Sequence, residues 1–351
     1  MNKVCRIGLD IAKSYFQAHG VDKYGNKVFN KKLKRADVLP FFANLPSSLI
    51  GLEACGSAHF WARELSQLDA GHTVRLISPR LVKPFVEVKN KNDANDAEAI
   101  CEVVGRPSTR FVNVKTVEQQ DLNAWHRIRD RKIRERTALA NQIRALLYEQ
   151  GITIPVGIAN VRKQLPFIYE NLDNALSLGA RDYLSELYAE FVDCDAYATK
   201  YESRIKAFAK TNEVCKRLMK IPGVGPLTAT AVFAHVGNAI QFKNGRAFAA
   251  YLGLTPKEHS SGGKQKLLGI TKRGNSHIRC LLIQGARIVA RFCLQKSNYQ
   301  GEQRIRWVHS IVDRRGKHIA AVALANKTAR IIWALLARGE EYNPEYYQEV
   351  A

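Results

Sequence analysis

The sequence predicts an α/β domain at the N-terminus, a long helical middle segment that resembles a coiled coil in pattern, and a mainly α-helical C-terminal domain. Strand-like and helix-like runs alternate through the first part of the chain, which favours a sheet covered by helices. A continuous helical pattern then runs from Val117 to about Gln150. We expect the three domains to occupy residues 1–112, 113–212 and 213–351.

The charge of the chain indicates a nucleic-acid partner. Its 351 residues contain 54 Lys and Arg against 32 Asp and Glu, which gives a net charge of +22. Such an excess attracts polyanions. An anionic membrane surface is the alternative. The sequence, however, shows no basic amphipathic anchor and no apolar run long enough to span a bilayer. The apolar stretch from Ile319 to Leu336 is therefore expected to be a buried or interface helix, and no membrane partner is expected.

The cysteines and the first residues indicate a cytoplasmic protein. The seven cysteines are scattered and form no C-x-x-C pair, a pattern typical of free thiols in a reducing compartment. The sequence opens directly on a strand-like run, with no signal peptide.

The first predicted strand ends in a carboxylate. Apolar residues lead up to Asp10, and two further strands, Phe16–Val21 and Lys27–Leu33, complete a meander. A carboxylate near a sheet core is poorly solvated, and coordination of a metal is one of the few ways to keep it charged. A solvated acid at a strand end is the simpler alternative for Asp10 alone.

Three more acids follow in positions that favour a shared site. A second strand, Ser48–Glu53, also ends in an acid, so two strands deliver a carboxylate to one edge. Asp93 and Asp96 are three residues apart at the start of a predicted helix, so both side chains lie on one face of its first turn. Four acids this close would repel each other unless cations lay between them. Two Mg²⁺ ions about 4 Å apart, which clamp a phosphodiester, are the chemistry that needs this arrangement.

Three segments carry a resemblance to a known family. They are Gly8-Leu9-Asp10-Ile11-Ala12-Lys13, Gly51-Leu52-Glu53-Ala54-Cys55-Gly56 and Lys91-Asn92-Asp93-Ala94-Asn95-Asp96-Ala97. Together they resemble the DEDD domain of the Piv/MooV-type insertion-sequence transposases. The resemblance implies an RNase H-like, RuvC-like fold in which Asp10, Glu53, Asp93 and Asp96 are catalytic and hold Mg²⁺. Lys13 and Lys91 flank these acids and are expected to contact the nucleic-acid backbone.

Within the long helix that begins near Val117, the basic run Arg127–Arg144 carries seven cations and two acids, which favours contact with nucleic acid over a merely solvated face. The candidate contacts are Arg127, Arg131, Lys132 and Arg134. A break with two glycines and a proline predicts a linker near residues 151–162. A second helical run, Ala180–Leu218, is expected to pair with the first as an antiparallel arm.

A glycine-rich turn, Ile221–Thr228, lies between two helical patterns and favours a phosphate cradle of the helix-hairpin-helix kind. Gly223 and Gly225 would expose backbone N–H groups, and Lys220 precedes them. A plain turn between two helices is the alternative.

A polar loop further on carries the second part of the resemblance. From the residues alone, the Ser-Ser-Gly-Gly loop is simply flexible. Its segments Ser260-Ser261-Gly262-Gly263-Lys264 and Lys272-Arg273-Gly274-Asn275, however, look like the C-terminal domain of the same transposases. The resemblance implies that a serine of this loop forms a phosphoserine link to DNA. Ser261 fits best, Ser260 is the alternative nucleophile, and Lys264, Lys272 and Arg273 are expected to contact DNA.

The two halves of the resemblance predict a DNA transposase or recombinase that works through Mg²⁺ and a serine nucleophile. They further imply a bridge RNA that pairs with target and donor DNA, and dimers that join into a tetramer. In such an assembly the acids of one subunit and the serine of another form one site. Two alternatives remain open: a RuvC-like Holliday-junction nuclease that attacks with water, and a non-catalytic basic nucleic-acid-binding protein.

Overall fold

The computed structural model describes residues 3–86, 92–295 and 303–344. The chain divides into two compact units, residues 1–116 and 117–351. The boundaries at 112/113 and 212/213 stay predictions. Lys91, a predicted nucleic-acid contact, lies outside the described residues.

A six-stranded mixed sheet forms the centre of the N-terminal unit. Its strands are β1 Arg6–Ile11, β2 Tyr15–Val21, β3 Lys27–Lys34, β4 Leu49–Glu53, β5 Thr73–Ile77 and β6 Phe111–Val112. They lie in the order β3-β2-β1-β4-β5-β6, with β1 antiparallel to β2 and parallel to β4. The α/β prediction for this unit is confirmed, and the sheet fits the RuvC-like fold. Strand β6 was not predicted, since two residues carry no periodic signal.

Helices cover both faces of this sheet. They are α1 Val38–Ala43, α2 Ala58–Ser66, α3 Pro79–Val82 and α4 Asp93–Val104. Ile7 and Leu9 are fully buried in a core shared with α1 and α2, where the ring of Trp61 packs edge-on against Phe16. The opposite face of β1 and β4 carries α4, whose Val104 belongs to a second core. Because side chains alternate along a strand, neighbouring residues of β1 serve these two layers in turn.

The second unit begins with two very long helices. Its first elements are α5 Val117–Glu149, α6 Ile158–Glu170, α7 Leu178–Thr211 and α8 Glu213–Met219. Helices α5 and α7 pack as an antiparallel pair. The order of their contacts shows this: Arg129 contacts Glu202, whereas Arg136, further along α5, contacts Asp195, which comes earlier in α7. The predicted run 180–218 is two helices rather than one. Asn212 separates them, since its backbone is extended and its side chain accepts a hydrogen bond from the N–H of Cys215.

The predicted linker is a short loop followed by a packed helix. Residues 151–157 join α5 to α6, and Val161 and Leu165 of α6 are fully buried. They share a core with Leu147 of α5 and Leu184 of α7. This part of the unit is therefore a three-helix packing arrangement around one apolar core.

The remainder of the unit is mainly helical, as predicted. Its elements are α9 Pro226–Val236, α10 Gly245–Tyr251, β7 Pro256–Glu258, β8 Leu267–Ile270, α11 Ser276–Gln295, α12 Gln303–Arg315 and α13 Lys317–Arg338. Among the described residues, α13 alone is long and apolar enough to cross a membrane, with a mean hydropathy of 1.5. Its Ala325, Ala329 and Ile332 are fully buried in the C-terminal core, and the indole N–H of Trp333 donates to the carbonyl of Phe242. One face of the helix is thus packed in the core of the protein, in agreement with the expectation of a buried or interface helix.

Candidate active site and nucleic-acid contacts

Two glycines allow helix α4 to lie directly on the sheet. Gly8 of β1 and Gly51 of β4 are neighbours in register. A Cβ at Gly8 would come within 2.0 Å of the carbonyl oxygen of Ala97, and one at Gly51 within 2.7 Å of the Cβ of Val104. Only glycine permits such an approach without a shift of the backbone or the neighbouring side chain. The face of the sheet that carries these glycines is therefore the α4 face.

The same contacts fix the direction of α4. Gly105, just after the helix, lies beside the side chain of Arg6 at the start of β1, whereas Ala97 lies beside Gly8 further along that strand. Helix α4 therefore runs antiparallel to β1. Its first turn is directed towards the C-terminal end of β1.

Asp10 and Glu53 lie on the α4 face of the sheet. Leu9 pairs with Leu52 in the parallel register, so the residues that follow them are neighbours as well. Asp10 is two residues after Gly8, and Glu53 is two residues after Gly51. Since side chains two apart in a strand share a face, both carboxylates project to the side on which α4 lies. Both are partly buried.

The four predicted acids share one electrostatic environment. Burial, followed by the charges of Asp96 and Asp93, raises the pKa of Asp10 to about 6. A hydrogen bond from the backbone of Ile11 opposes this rise, and the charge of Glu53 adds to it. The charged form of Asp10 is thus disfavoured first by burial and then by three carboxylates that are close enough to repel it.

Two of the acids lie in the first turn of α4. The side chain of Asn92 caps the helix by accepting a hydrogen bond of 2.9 Å from the N–H of Asn95. Asp93 and Asp96 stand in the first turn, where the positive end of the helix dipole favours a negative charge. Asp93 is exposed and Asp96 is partly buried.

The chemistry of this donor set fits Mg²⁺, which prefers carboxylate oxygens. A cation among the acids would offset the repulsion that raises the pKa of Asp10. Within the described residues, no group of three or more His, Cys, Asp or Glu side chains stands in a geometry that could hold a metal ion. The acids therefore interact electrostatically, but they do not form a complete set of metal ligands. Their convergence to metal-bridging distance remains a prediction.

Cys55 is a neighbour of the site that the motifs did not single out. Partial burial, followed by the charges of Glu53 and Asp10, raises the pKa of its thiol. The thiol is therefore neutral at pH 7 and a poor nucleophile. Only its position two residues after Glu53 could have indicated this proximity. Lys13, three residues after Asp10, is exposed.

The predicted serine loop is the tip of a β-hairpin rather than a flexible loop. Strands β7 and β8 pair, and Ser261 forms an isolated bridge with Lys264 across the turn. Gly262 and Gly263 both have positive φ, at 56° and 76°. This is the backbone of a tight two-residue hairpin turn, which a glycine pair forms readily. The whole tip, including Lys264, is exposed.

The two candidate serines differ in their contacts. The hydroxyl of Ser260 donates a hydrogen bond of 2.6 Å to Oε1 of Glu258. It also accepts one of 3.4 Å from the N–H of Lys266. The main-chain carbonyl of Ser261 accepts from the N–H of Lys264, while its hydroxyl makes no hydrogen bond within the described part of the chain. Ser261 is therefore the more accessible hydroxyl.

Lys272 and Arg273 lie on a tightly held turn. A Cβ at Gly253 would come within 2.4 Å of the carbonyl oxygen of Arg273, and the N–H of Lys272 donates to the carbonyl of Gly253. The buried guanidinium of Arg279 donates to the same Arg273 carbonyl at 2.8 Å. Both basic side chains are exposed on this fixed support.

The cations of α5 divide into two groups. Arg129 and Arg136 contact acids of α7, and the guanidinium of Arg144 donates to the carbonyl of Ile154. Arg131 and Lys132 both pair with Glu135 of the same helix. Arg127 and Arg134 are exposed and form no ion pair with any residue that the structure describes. Three of the seven cations thus stabilise the fold, and the others are available at the surface to differing degrees.

The glycine-rich turn has a packing role that its sequence did not reveal. Gly223 has a φ of +85°. A Cβ at Gly285 of α11 would come within 1.9 Å of the carbonyl oxygen of Gly223, so the turn lies directly against that helix. Gly225 is exposed at the N-cap of α9, and Lys220 pairs with Glu341 at 2.7 Å. A helix-hairpin-helix phosphate cradle stays a prediction for these residues.

The chain is similar to known transposases over nearly its whole length. Residues 215–303 match the transposase family IS116/IS110/IS902, and residues 7–151 match the IS110-type DEDD transposase family. A probable family 20 transposase of Pseudomonas aeruginosa is 48% identical over 97% of this chain and 98% of its own length. The transposase for insertion sequence element IS1111A of Coxiella burnetii is 45% identical over 97% of this chain and 92% of its own length. The chain belongs to the IS110/IS116 family of DEDD transposases.

A third relative extends the same result. The transposase for insertion sequence element IS1328 of Yersinia enterocolitica is 39% identical over 98% of this chain and 100% of its own length. Transposases cut and rejoin DNA, so this transposase is an enzyme with DNA as its partner. The excess of cations agrees with that partner.

Proposed function

We propose that this transposase cuts and rejoins insertion-sequence DNA with Mg²⁺ held by Asp10, Glu53, Asp93 and Asp96, and with Ser261 as nucleophile. One observation carries the metal part of the proposal: Asp10 and Glu53 lie on the α4 face of the sheet, and the first turn of α4, which holds Asp93 and Asp96, is directed towards the end of β1. Burial and the charges of the other three acids raise the pKa of Asp10 to about 6. Repulsion of this kind is costly for the protein unless a cation offsets it. Bound Mg²⁺ would polarise the scissile phosphate and stabilise the leaving oxygen.

The serine step exchanges one phosphoester for another. The Oγ of Ser261 attacks the scissile phosphorus, a phosphoserine ester forms, and the bond to the leaving strand oxygen breaks. The leaving oxygen takes up a proton, and an acid of the site accepts the proton of the serine. A hydroxyl is a weak nucleophile at neutral pH, so the acid has to be positioned as a general base. Rejoining reverses the step with the hydroxyl of another DNA strand.

The structural difference between the two serines supports Ser261. Its hydroxyl is exposed at the tip of the hairpin, whereas the hydroxyl of Ser260 is engaged by Glu258. The hairpin tip also carries Lys264, whose charge suits a DNA phosphate. Ser260 is retained as the alternative nucleophile.

The finer features implied by the resemblance belong to the same proposal. A bridge RNA would pair with target and donor DNA, and the protein would act as a dimer or tetramer in which one subunit supplies the acids and another supplies Ser261. Exposed cations such as Arg127 and Arg134 would hold the nucleic-acid backbones. We expect this to take place in the cytoplasm, where the DNA is.

One experiment separates the proposal from its rivals. The protein is incubated with element DNA, its co-purified RNA and Mg²⁺, and the products are separated under denaturing conditions. A protein–DNA adduct that is absent in Ser261→Ala and partly retained in Ser260→Ala is expected. Free cut ends without an adduct would indicate a nuclease that uses water, and retarded but uncut DNA would indicate a non-catalytic binder. An adduct in Ser261→Ala would assign the nucleophile to Ser260 or another residue.

A further inference from the structure

A groove separates the serine hairpin from helices α12 and α13. Its volume is about 870 Å³, within the range of pockets that take small ligands. Leu267 and Leu268 of β8 form one wall, and Trp307 and Ile319 stand on the helices opposite. Leu267, Leu268 and Ile319 are 55%, 44% and 52% exposed, so this apolar lining faces solvent.

The groove is also strongly basic. Arg315, His318, Lys327 and Arg330 line it together with the apolar residues, and no Asp or Glu occurs among the lining residues that the structure describes. Partial burial, followed by the charge of Arg330, lowers the pKa of Lys327. An anion beside these two cations would offset their mutual repulsion.

A second cavity extends this basic surface along α13. It has a volume of about 340 Å³ and shares Lys327 and Arg330 with the groove. Arg246 and Arg338 are added to its lining, again without an acid among the described lining residues. Lys327 and Arg338 are about 16 Å apart along the helix axis, at roughly 1.5 Å per residue. The surface is therefore long enough for several phosphates of one strand.

We propose that this groove binds an unpaired nucleotide of the DNA strand that is to be cut, with its base against Trp307 and the apolar wall and its phosphates along Lys327 and Arg330. The ammonium group of Lys327 lies over the Trp307 ring, 4.8 Å from its centre, so a base that stacks on this face takes the place of a cation that stays beside it. Bases that stack on aromatic side chains above a basic track are the usual way to hold single strands. A paired base cannot enter such a groove, because its faces are covered within the duplex.

The charge of the lining selects this occupant over others. An apolar peptide or a second copy of the chain, whose net charge is +22, would suit the leucines but would not compensate the cations of the lining. A polyanion with flat apolar bases satisfies both properties of the lining. The inference rests on the proposed function in one respect: Ser261 lies on the same hairpin as Leu267 and Leu268, so a strand held in the groove is the strand next to the proposed nucleophile.

Binding to labelled oligonucleotides tests the groove without depending on cleavage. Full-length protein carrying Ser261→Ala is titrated into single-stranded DNA, duplex DNA and single-stranded RNA of one sequence, with fluorescence anisotropy as readout. Ile319→Glu places a negative charge on the wall of the groove. Because Ile319 is exposed, this variant should fold normally. The matched control is Phe167→Glu, since Phe167 is 71% exposed on α6.

Ile319→Glu should weaken single-stranded DNA binding about tenfold and duplex binding much less, while Phe167→Glu changes neither. Trp307→Ala should have a similar effect, and Trp307→Phe should retain most of the affinity. A single abasic site in the strand should lower the affinity of the protein that retains Trp307. It should lower the affinity of Trp307→Ala much less, since the abasic site and the substitution remove the same contact.

Three outcomes would overturn the assignment. They are equal loss on single and double strands, an effect confined to RNA, and a change in oligomeric state of Ile319→Glu with unaltered DNA binding. Failure of the proposed function is distinguishable, because a protein that forms no serine adduct can still show the Ile319-dependent preference for single strands. Conversely, a serine adduct formed at full yield by Ile319→Glu in a protein that retains Ser261 would reject the groove and leave the nucleophile intact.

Discussion

Gly8 lies so close to Ala97 that a Cβ at the glycine would stand 2.0 Å from the alanine carbonyl oxygen. This approach holds helix α4 against strand β1. Because Asp10 follows Gly8 on the strand and Asp96 precedes Ala97 on the helix, the glycine also determines how near the acids of the two elements come. The fold and the proposed metal site thus depend on the same close packing.

Gly8→Ala should separate the two elements. The added methyl group meets backbone atoms of α4, which can move only as a unit, so we expect destabilisation of about 1–3 kcal/mol and a large loss of DNA cleavage. Urea denaturation and the cleavage assay measure the two effects. The matched control is Gly179→Ala, where a Cβ would meet nothing within 4 Å. Wild-type stability and cleavage in Gly8→Ala would contradict the packing account.

Asp10→Asn should stabilise the protein at pH 7 while abolishing cleavage. The pKa of Asp10 is about 6 in the folded protein against 3.8 for an ordinary Asp, so the folded state binds more protons between these values. The acid therefore costs stability progressively as pH rises through that interval, and the full cost is present above about pH 6. We expect a gain on the order of 1 kcal/mol at pH 7, reduced by solvent screening, and none below pH 4. The control Asp69→Asn changes an exposed acid. An equal gain in stability there would show that the gain does not come from the burial and charged neighbours of Asp10.

His126 is a buried histidine at the junction of α5, α9 and α11. Its Nε2 lies 2.9 Å from the hydroxyl of Thr230, and its ring centre lies 5.2 Å from that of His277. Burial, followed by the charge of His277, lowers the pKa of His126 to about 4, which Asp130 opposes and Arg129 reinforces. Nδ1 of His277 in turn lies 2.8 Å from a carboxylate oxygen of Asp130.

The neutral form of His126 makes the C-terminal unit sensitive to acid. Between pH 6.5 and about 4 the unfolded chain takes up a proton that the folded protein does not, so stability should fall as pH is lowered through this window. His126→Gln should flatten that part of the pH profile, because the amide does not titrate there. Thermal unfolding across pH 4 to 7 measures this dependence of stability on pH. The control is His318→Gln, since His318 is exposed. A profile in His126→Gln as steep as in the wild type would exclude this residue as the cause.

Two arginines of α5 should behave differently when replaced by alanine. Arg134 is exposed without an ion pair among the described residues, whereas Arg136 pairs with Asp195 of α7. If Arg134 contacts a phosphate, Arg134→Ala reduces the slope of log affinity against log salt by about 0.9 and leaves stability unchanged. Arg136→Ala should instead destabilise the helix pair. A salt slope unaffected by Arg134→Ala would remove this residue from the proposed contacts.

The acids were accessible to sequence reasoning because strand ends and helix starts have local signals. Asp10 and Glu53 end strands whose neighbours are apolar, and Asp93 follows a capping residue. The closeness of α4 to the sheet was not accessible, since it depends on which residues meet Gly8 and Gly51 across the fold. The same holds for the cations of α5, whose partners Glu202 and Asp195 lie on another helix.

The serine hairpin was missed for a different reason. Gly262-Gly263 is a recognised hairpin signal, but β7 and β8 are short and their residues are almost all exposed. Without a buried face, the strands show no alternation of apolar and polar residues. The turn was therefore predictable and the strands beside it were not.

If the four acids form one site for divalent cations, the protein should bind such cations directly. Mn²⁺, a paramagnetic substitute for Mg²⁺, is titrated into the wild-type protein and into Asp10→Asn and Glu53→Gln, with free Mn²⁺ measured by electron paramagnetic resonance. The wild type should bind Mn²⁺ in competition with Mg²⁺, and each variant should lose most of that binding while keeping its fold. Unchanged Mn²⁺ binding in both variants would show that the acids at the ends of β1 and β4 do not hold the metal.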